Sequence, residues 1–213
     1  MWLDTEMVSP DPLRLGSVIV APMRLLRPCG ADEHEAILAI VNAAAEAYRG
    51  VIPSDRWHEP YMGRDELEAE MAAGVAFWGY ESDGALTGVM GIQPVGDVEL
   101  IQHAYVLPAH QGEGIGTSLL RHLRGLSGRP MLVGTWADAR WAIRFYERNG
   151  FALVSEAKKS ELLRRYWTIP ERQIETSVVL AENGWASPAS LSPALLHLHR
   201  DQGGSDPGFR GDV

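Results

Sequence analysis

Residues 104–120 read AYVLPAHQGEGIGTSLL: an apolar run closed by proline, three alternating glycines, then the start of a helix pattern. A helix that begins on glycines leaves backbone N–H groups unpaired, with no Cβ atoms standing in front of them. Those groups and the positive end of the helix dipole make a ready site for an anion such as phosphate. Two phosphate-loop patterns do not fit. A dinucleotide fingerprint needs glycine at 117 or 119, where Thr117 and Leu119 stand, and a triphosphate loop needs G-K-S/T, but no lysine is present. A flexible strand-to-helix turn would use the same glycines, so the context has to decide.

Reading outward from this stretch gives a mixed α/β chain. Residues 18–27, VIVAPMRLLR, read as a first strand. Ile37, Ile40, Val41 and Ala44 fall on one face of a helix, with Asp32 as N-cap and Gly50 as its stop. The loop VIPSDRWHEPYMG (51–63) leads into a second helix, RDELEAEMAAG (64–74). Residues 75–95 read as a hairpin turning at Ser82-Asp83-Gly84, and DVELIQHAYVL (97–107) as a strand ended by Pro108. After the glycines come the helix TSLLRHLRGLSG, closed by Gly128, and the strand PMLVGTW. The helix DARWAIRFYERNG then starts at Asp138 and stops at Gly150. A short strand FALV, a helix EAKKSELLRRYW and a last strand QIETSVVLA complete the pattern. We therefore expect an N-terminal extension over 1–17, one domain over 18–181 and a disordered tail over 182–213, where Pro, Ser, Gly and Asp accumulate.

Composition narrows the class. Apolar residues are 46% and charged residues 22%, as in ordinary globular chains, and no run approaches a membrane span. Cys29 is the sole cysteine, so neither a disulfide framework nor a cysteine-based zinc site is available. The opening residues do not read as a secretory signal, and a cytoplasmic protein fits. The net charge of −9 speaks against nucleic acid, but it is unevenly spread. Residues 22–100 hold 5 Lys/Arg against 14 Asp/Glu, whereas residues 101–180 hold 11 against 7. An acidic half is joined to a basic one.

The segment AYVLPAHQGEGIGTSLL resembles the acyl-CoA-binding segment of the GNAT N-acetyltransferase superfamily, whose pattern is V-x-P-x-x-R/Q-G-x-G-x-G/A. About thirty residues on, WAIRFYERNGF resembles that superfamily's second signature, a helix ending Y-x-x-x-G-F. The resemblance covers about residues 22–180. It implies the GNAT fold, an α/β (α+β) architecture with a mixed, mostly antiparallel sheet, a splayed parallel strand pair and flanking helices. It also implies transfer of an acetyl group from acetyl-CoA to an amine, a small-molecule amine being favoured, with no metal. The alternatives are a protein lysine or N-terminal acetyltransferase and a non-catalytic acyl-CoA-binding module. Coenzyme A and an amine would be the partners, with neither nucleic acid nor membrane, and a homodimer is compatible with the sequence.

By the same resemblance, the cofactor pyrophosphate would sit on the backbone N–H groups of Gln111, Gly112, Glu113, Gly114, Ile115, Gly116 and Thr117. The pantetheine arm would pair along Ala104, Tyr105 and Val106, with an N–H near Ala104 as oxyanion donor and Tyr146 placed to protonate the leaving sulfur. The family's frequent asparagine seven residues before that tyrosine is here Ala139, which removes one cofactor contact. Arg121, Arg124, Arg140, Arg144 and Arg148 are candidates for the outlying phosphate. The acceptor wall would come from Tyr48, Trp57 and Tyr61. For a base, Glu99 and His103 are the titratable residues of their strand, and His103, with an unperturbed pKa of about 6.5, suits neutral pH. Strand alternation puts Glu99, Ile101 and His103 on one face, and a bulge would change that.

Overall fold

A computed structural model describes residues 23–185. The expected extension over 1–17 and the tail from 186 onward lie outside the described residues. Seven strands form one sheet in the order β1-β2-β3-β4-β5-β7-β6. They are β1 (Arg24–Pro28), β2 (Ala76–Ser82), β3 (Ala85–Val95), β4 (Val98–Val106), β5 (Met131–Trp136), β6 (Phe151–Leu153) and β7 (Ser177–Glu182). The helices are α1 (His34–Ala45), α2 (Arg64–Ala72), α3 (Ile115–Leu126), α4 (Arg140–Arg148), α5 (Glu156–Tyr166) and α6 (Glu171–Thr176). Every neighbouring pair is antiparallel except β4 and β5. Asp83 and Gly84 both take positive φ, 51° and 84°, the two-residue turn whose twist suits a hairpin.

The helix faces bury as their periodicity predicts. Ile37, Ile40, Val41 and Ala44 of α1 are buried with Phe77, Val89 and Tyr105 on one side of the sheet. Ile115, Leu119, Leu120 and Leu123 of α3 are buried with Tyr80, Met90, Ile101 and Tyr146 on the other. Each such side chain contributes roughly 1.5–3 kcal/mol on leaving water. α5 lies over Leu100, Leu132 and Val179.

Some boundaries depart from the periodicity. α1 is capped at Glu33, not Asp32, and without a side-chain hydrogen bond; the Glu33 carboxylate instead accepts the Gly30 N–H and pairs with Arg27. α3 starts at Ile115, earlier than Thr117, and ends at Leu126, two residues before Gly128. α4 begins at Arg140 on Ala139. The stretch QIET, expected in the last strand, belongs to α6, because Pro170 starts a helical turn that Ile174 anchors by burial. β7 then runs to Glu182, inside the expected tail, and the Glu182 carboxylate accepts from Arg124 Nε at 2.6 Å and the Met131 N–H at 2.9 Å. No described helix is long and apolar enough to cross a membrane.

Candidate functional site

β4 and β5 pair for only three residues, Glu99–Ile101 against Met131–Val133. β4 continues to Val106, while β5 goes on pairing with β7 as far as Trp136. The two strands therefore part beyond Ile101 and leave a cleft between them. A bulge helps to force this. Two residues of β3, Val89 and Gly91, face Tyr105 and Gln102 with an extra residue on the β4 side, and His103 takes φ +48°. The bulge turns the His103 ring onto Phe77, with centroids 5.6 Å apart, on the α1/α2 side of the sheet. The alternation expected from a regular strand thus fails at this residue: Ile101 packs toward α3 and His103 does not.

At the open end of the cleft, the chain turns through the glycines into α3. Gly112 and Gly114 take φ of 87° and 80°, and nothing lies within 4 Å of where a Cβ would stand on either. Gly116 has a different task. It lies inside α3, and a Cβ there would meet the Phe145 ring of α4 at 3.3 Å, so its bareness lets the two helices close up. Ser118 is the first N–H of the helix bonded back to this turn, to the Gly114 carbonyl. Gln111 donates its side-chain amide to the Val106 carbonyl at 3.3 Å, which fixes the turn against the end of β4.

Beside that turn, Thr117 and Arg121 of α3 face Trp141, Arg144, Phe145 and Arg148 of α4 across a cavity of about 530 Å³. Arg121, Arg144 and Arg148 make no ion pair among the described residues, so the groove carries free positive charge. Arg124, expected with them, is taken up by Glu182 and by the Asn149 carbonyl. Arg140 does not line this cavity. Ala139 is fully buried, and its N–H is satisfied by the Trp136 carbonyl.

On the α1/α2 side of the cleft stands a cluster of tyrosines. Tyr48 and Tyr61 both meet Tyr105 edge to face, at 6.3 and 6.2 Å. Tyr48 also meets Trp141 at 5.1 Å. The Tyr48 hydroxyl lies by Thr135, and that of Tyr61 by Tyr105 and Trp136. Burial pushes the Tyr48 phenol up to about 12 and also raises those of Tyr105 and Tyr146, with the neighbouring phenols adding to the effect. Tyr146 comes in from α4, buried between Phe145 and Phe151. The expected Tyr48 and Tyr61 are brought together. Trp57 packs on Tyr61, but its ring already holds the Arg49 guanidinium at 4.8 Å.

The two candidate bases stand apart from each other. Glu99 accepts from Ser127 Oγ at 3.3 Å, beside the last turn of α3, roughly 13 Å along the strand from His103. His103 Nε2 is buried without a hydrogen bond, 3.7 Å from Glu70 Oε2. Contact with the imidazole holds the Glu70 carboxyl below its usual range, against the opposing effect of burial. Tyr105 side-chain packing, Thr135, Trp136 and Trp141 escaped the sequence reading. Strand parity beyond a bulge cannot be read from sequence, but the aromatic pair at 136 and 141 flanking the α4 start was a visible signal. Among the described residues no three metal-ligating side chains cluster.

Residues 73–153 match the family model described as Acetyltransferase (GNAT) domain. Over 169 residues the chain is 28% identical to mycothiol acetyltransferase of Nocardia farcinica, a match covering 76% of this chain and 53% of that protein. The chain thus spans about half the length of this curated relative. Among solved structures, it is similar to the PaiA N-acetyltransferase of Thermoplasma acidophilum in complex with coenzyme A. The TM-score is 0.57 at 15% identity, covering 75% of this chain and 98% of that one. A GNAT-family acetyltransferase of Staphylococcus aureus gives a TM-score of 0.58 at 12% identity, with 75% and 98% covered. At these identities the two structures speak to the fold alone.

Proposed function

We propose that the chain, whose residues 73–153 match the GNAT acetyltransferase domain, moves an acetyl group from acetyl-CoA directly to an amine, with a small-molecule amine as acceptor. The observation that carries this reading is the conjunction, at one cleft, of an open glycine turn and a buried tyrosine on the facing helix. The N–H groups from Gln111 to Thr117 would hold the cofactor pyrophosphate, and the strand edge at Ala104, Tyr105 and Val106 the pantetheine arm. Arg121, Arg144 and Arg148 supply cations to an outlying phosphate. The acetyl carbonyl then points at an N–H near Ala104, whose donation stabilises the oxyanion.

Tyr146 is assigned the proton to sulfur. Its burial keeps the phenol neutral. A phenol so reluctant to ionise does not surrender its proton outright to a thiolate whose conjugate acid is near ~8.5. It gives one up as another arrives. The attacking nitrogen becomes cationic and acidic in the tetrahedral adduct, and its proton replaces the one passed to sulfur. The C–N bond forms, the C–S bond breaks, and Tyr146 ends as it began. Glu99, held by Ser127 at the far end of β4, has no part in this relay.

The similarity to a mycothiol acetyltransferase supports a small-molecule acceptor over a protein one. The test is release of free thiol from acetyl-CoA against a panel of amines and peptides. Turnover of a small amine supports the reading; turnover confined to peptide lysines or N-termini, or tight CoA binding without turnover, would replace it.

A further inference from the structure

The tyrosine cluster has a property that the transferase reading does not require. Its walls carry no charge. Tyr48, Tyr61, Tyr105 and Tyr146 bring four phenols together from the post-α1 loop, the pre-α2 loop, β4 and α4. Thr135 and Trp136 add neutral donors from β5. The charged groups lie at the margin. Glu66 of α2 acts weakly on Tyr61, and His58 stacks on the same ring at 6.2 Å. Arg49 and Glu59 pair with each other over Trp57. His103 and Glu70 face each other, with the histidine ring against Phe77.

An ammonium entering the cleft beside these rings would leave water with no carboxylate to meet it, which is unfavourable. Aromatic faces can compensate a cation. Here, however, the rings of the cluster meet one another edge to face, and the neighbouring rings of Trp57 and Phe151 are already taken by Arg49 and Arg124. The same desolvation that keeps a phenol protonated strips a proton from an amine. We propose, resting on the transferase reading above, that the pocket takes its acceptor uncharged, and that its substrate class is amines of low basicity, whose ammonium forms lose a proton near neutral pH. The pocket performs the deprotonation by excluding charge, and the proton leaves to bulk water before binding. The nitrogen lone pair then attacks the thioester; as the C–S bond breaks, one of the nitrogen's two protons travels through Tyr146 to sulfur and the other stays on the amide, so nothing is left over within the cleft.

The experiment measures kcat/KM against pH for primary amines of similar size but graded basicity, with thiol release as readout. Each profile should rise with slope one and level off at that amine's own solution pKa. The plateau values should agree within about tenfold. A break at one common pH for every amine, removed by His103→Gln, would assign the base to His103 and overturn the proposal. Binding gives a second arm that needs no turnover. With CoA-loaded protein in a calorimeter, 3,3-dimethylbutanol should bind more tightly than choline, its trimethylammonium counterpart; tighter choline overturns the charge-free pocket. Choline weaker than the alcohol, with no amine turned over, would sustain the pocket while removing the transferase reading on which the substrate class depends.

Discussion

Tyr48 and Trp141 stand edge to face with ring centroids 5.1 Å apart and planes at 63°. One ring belongs to the loop after α1, the other to the first turn of α4, so this contact ties the tyrosine cluster to the helix that lines the arginine groove. Trp141→Ala should therefore weaken both substrates together. Such an aromatic pair contributes about 0.5–1.5 kcal/mol beyond its buried area. KM for acetyl-CoA and for the amine should each rise roughly 2- to 13-fold; a rise in only one would separate the two sites.

Tyr146→Phe removes one hydroxyl and keeps the ring against Phe145 and Phe151. If the phenol relays the proton, kcat should fall by the ~10²–10⁴ typical of such groups, with CoA affinity unchanged. Near-normal turnover where chemistry limits the rate would return Tyr146 to packing alone.

Gly114 holds φ of 80° with empty space before it. Gly114→Val forces a branched residue into the left-handed region, a strain of about 1–2 kcal/mol, and puts its side chain where phosphate must approach. Calorimetry should show CoA affinity severely reduced while circular dichroism still reports the fold. Unchanged affinity would move the phosphate site elsewhere.

Arg144→Ala tests the groove. The wild-type protein should prefer CoA to 3′-dephospho-CoA, and the variant should lose most of that preference, because one of the three unpaired cations is gone. An equal loss of affinity for both cofactors would place Arg144 against another part of the molecule.

Glu33 gives a pH-dependent prediction. The Arg27 guanidinium holds its carboxyl down at about 2, from an ordinary 4.5. A depressed acid stabilises the fold above its unfolded pKa, and that contribution disappears as pH falls through the folded one. Thermal melts of wild type and Glu33→Gln should differ at pH 7 and converge between pH 4.5 and 2. A constant difference across that window would show that Glu33 acts by packing.

What could be read from the chain differs from element to element for physical reasons. The faces of α1 and α3 were legible because apolar spacing is a local property, and each face found a core. The glycine turn was legible because few other residues adopt its φ values. The direction of His103 was not, since a single inserted residue in β4 reverses parity and leaves no compositional trace. The Glu99–Ser127 contact was not legible either, because the two residues stand 28 positions apart. Arg124 likewise lost its place in the groove to Glu182. Boundaries such as Asp32 against Glu33 turned on which carboxylate an arginine drew aside.

β7 lies between β5 and β6, though both of its neighbours precede it in the chain. During synthesis, then, β5 leaves the ribosome with one edge bare, and β6 has no strand beside it until residues 177–182 follow. Glu182, which comes with this strand, joins Arg124 of α3 to the Met131 N–H of β5. A nascent chain stalled before this strand holds an open β edge next to its unfinished cofactor cleft, the kind of edge on which other chains aggregate. Chaperone protection of this protein should accordingly persist until residues 177–182 have emerged, and a ribosome-bound chain ending near residue 176 should bind no CoA.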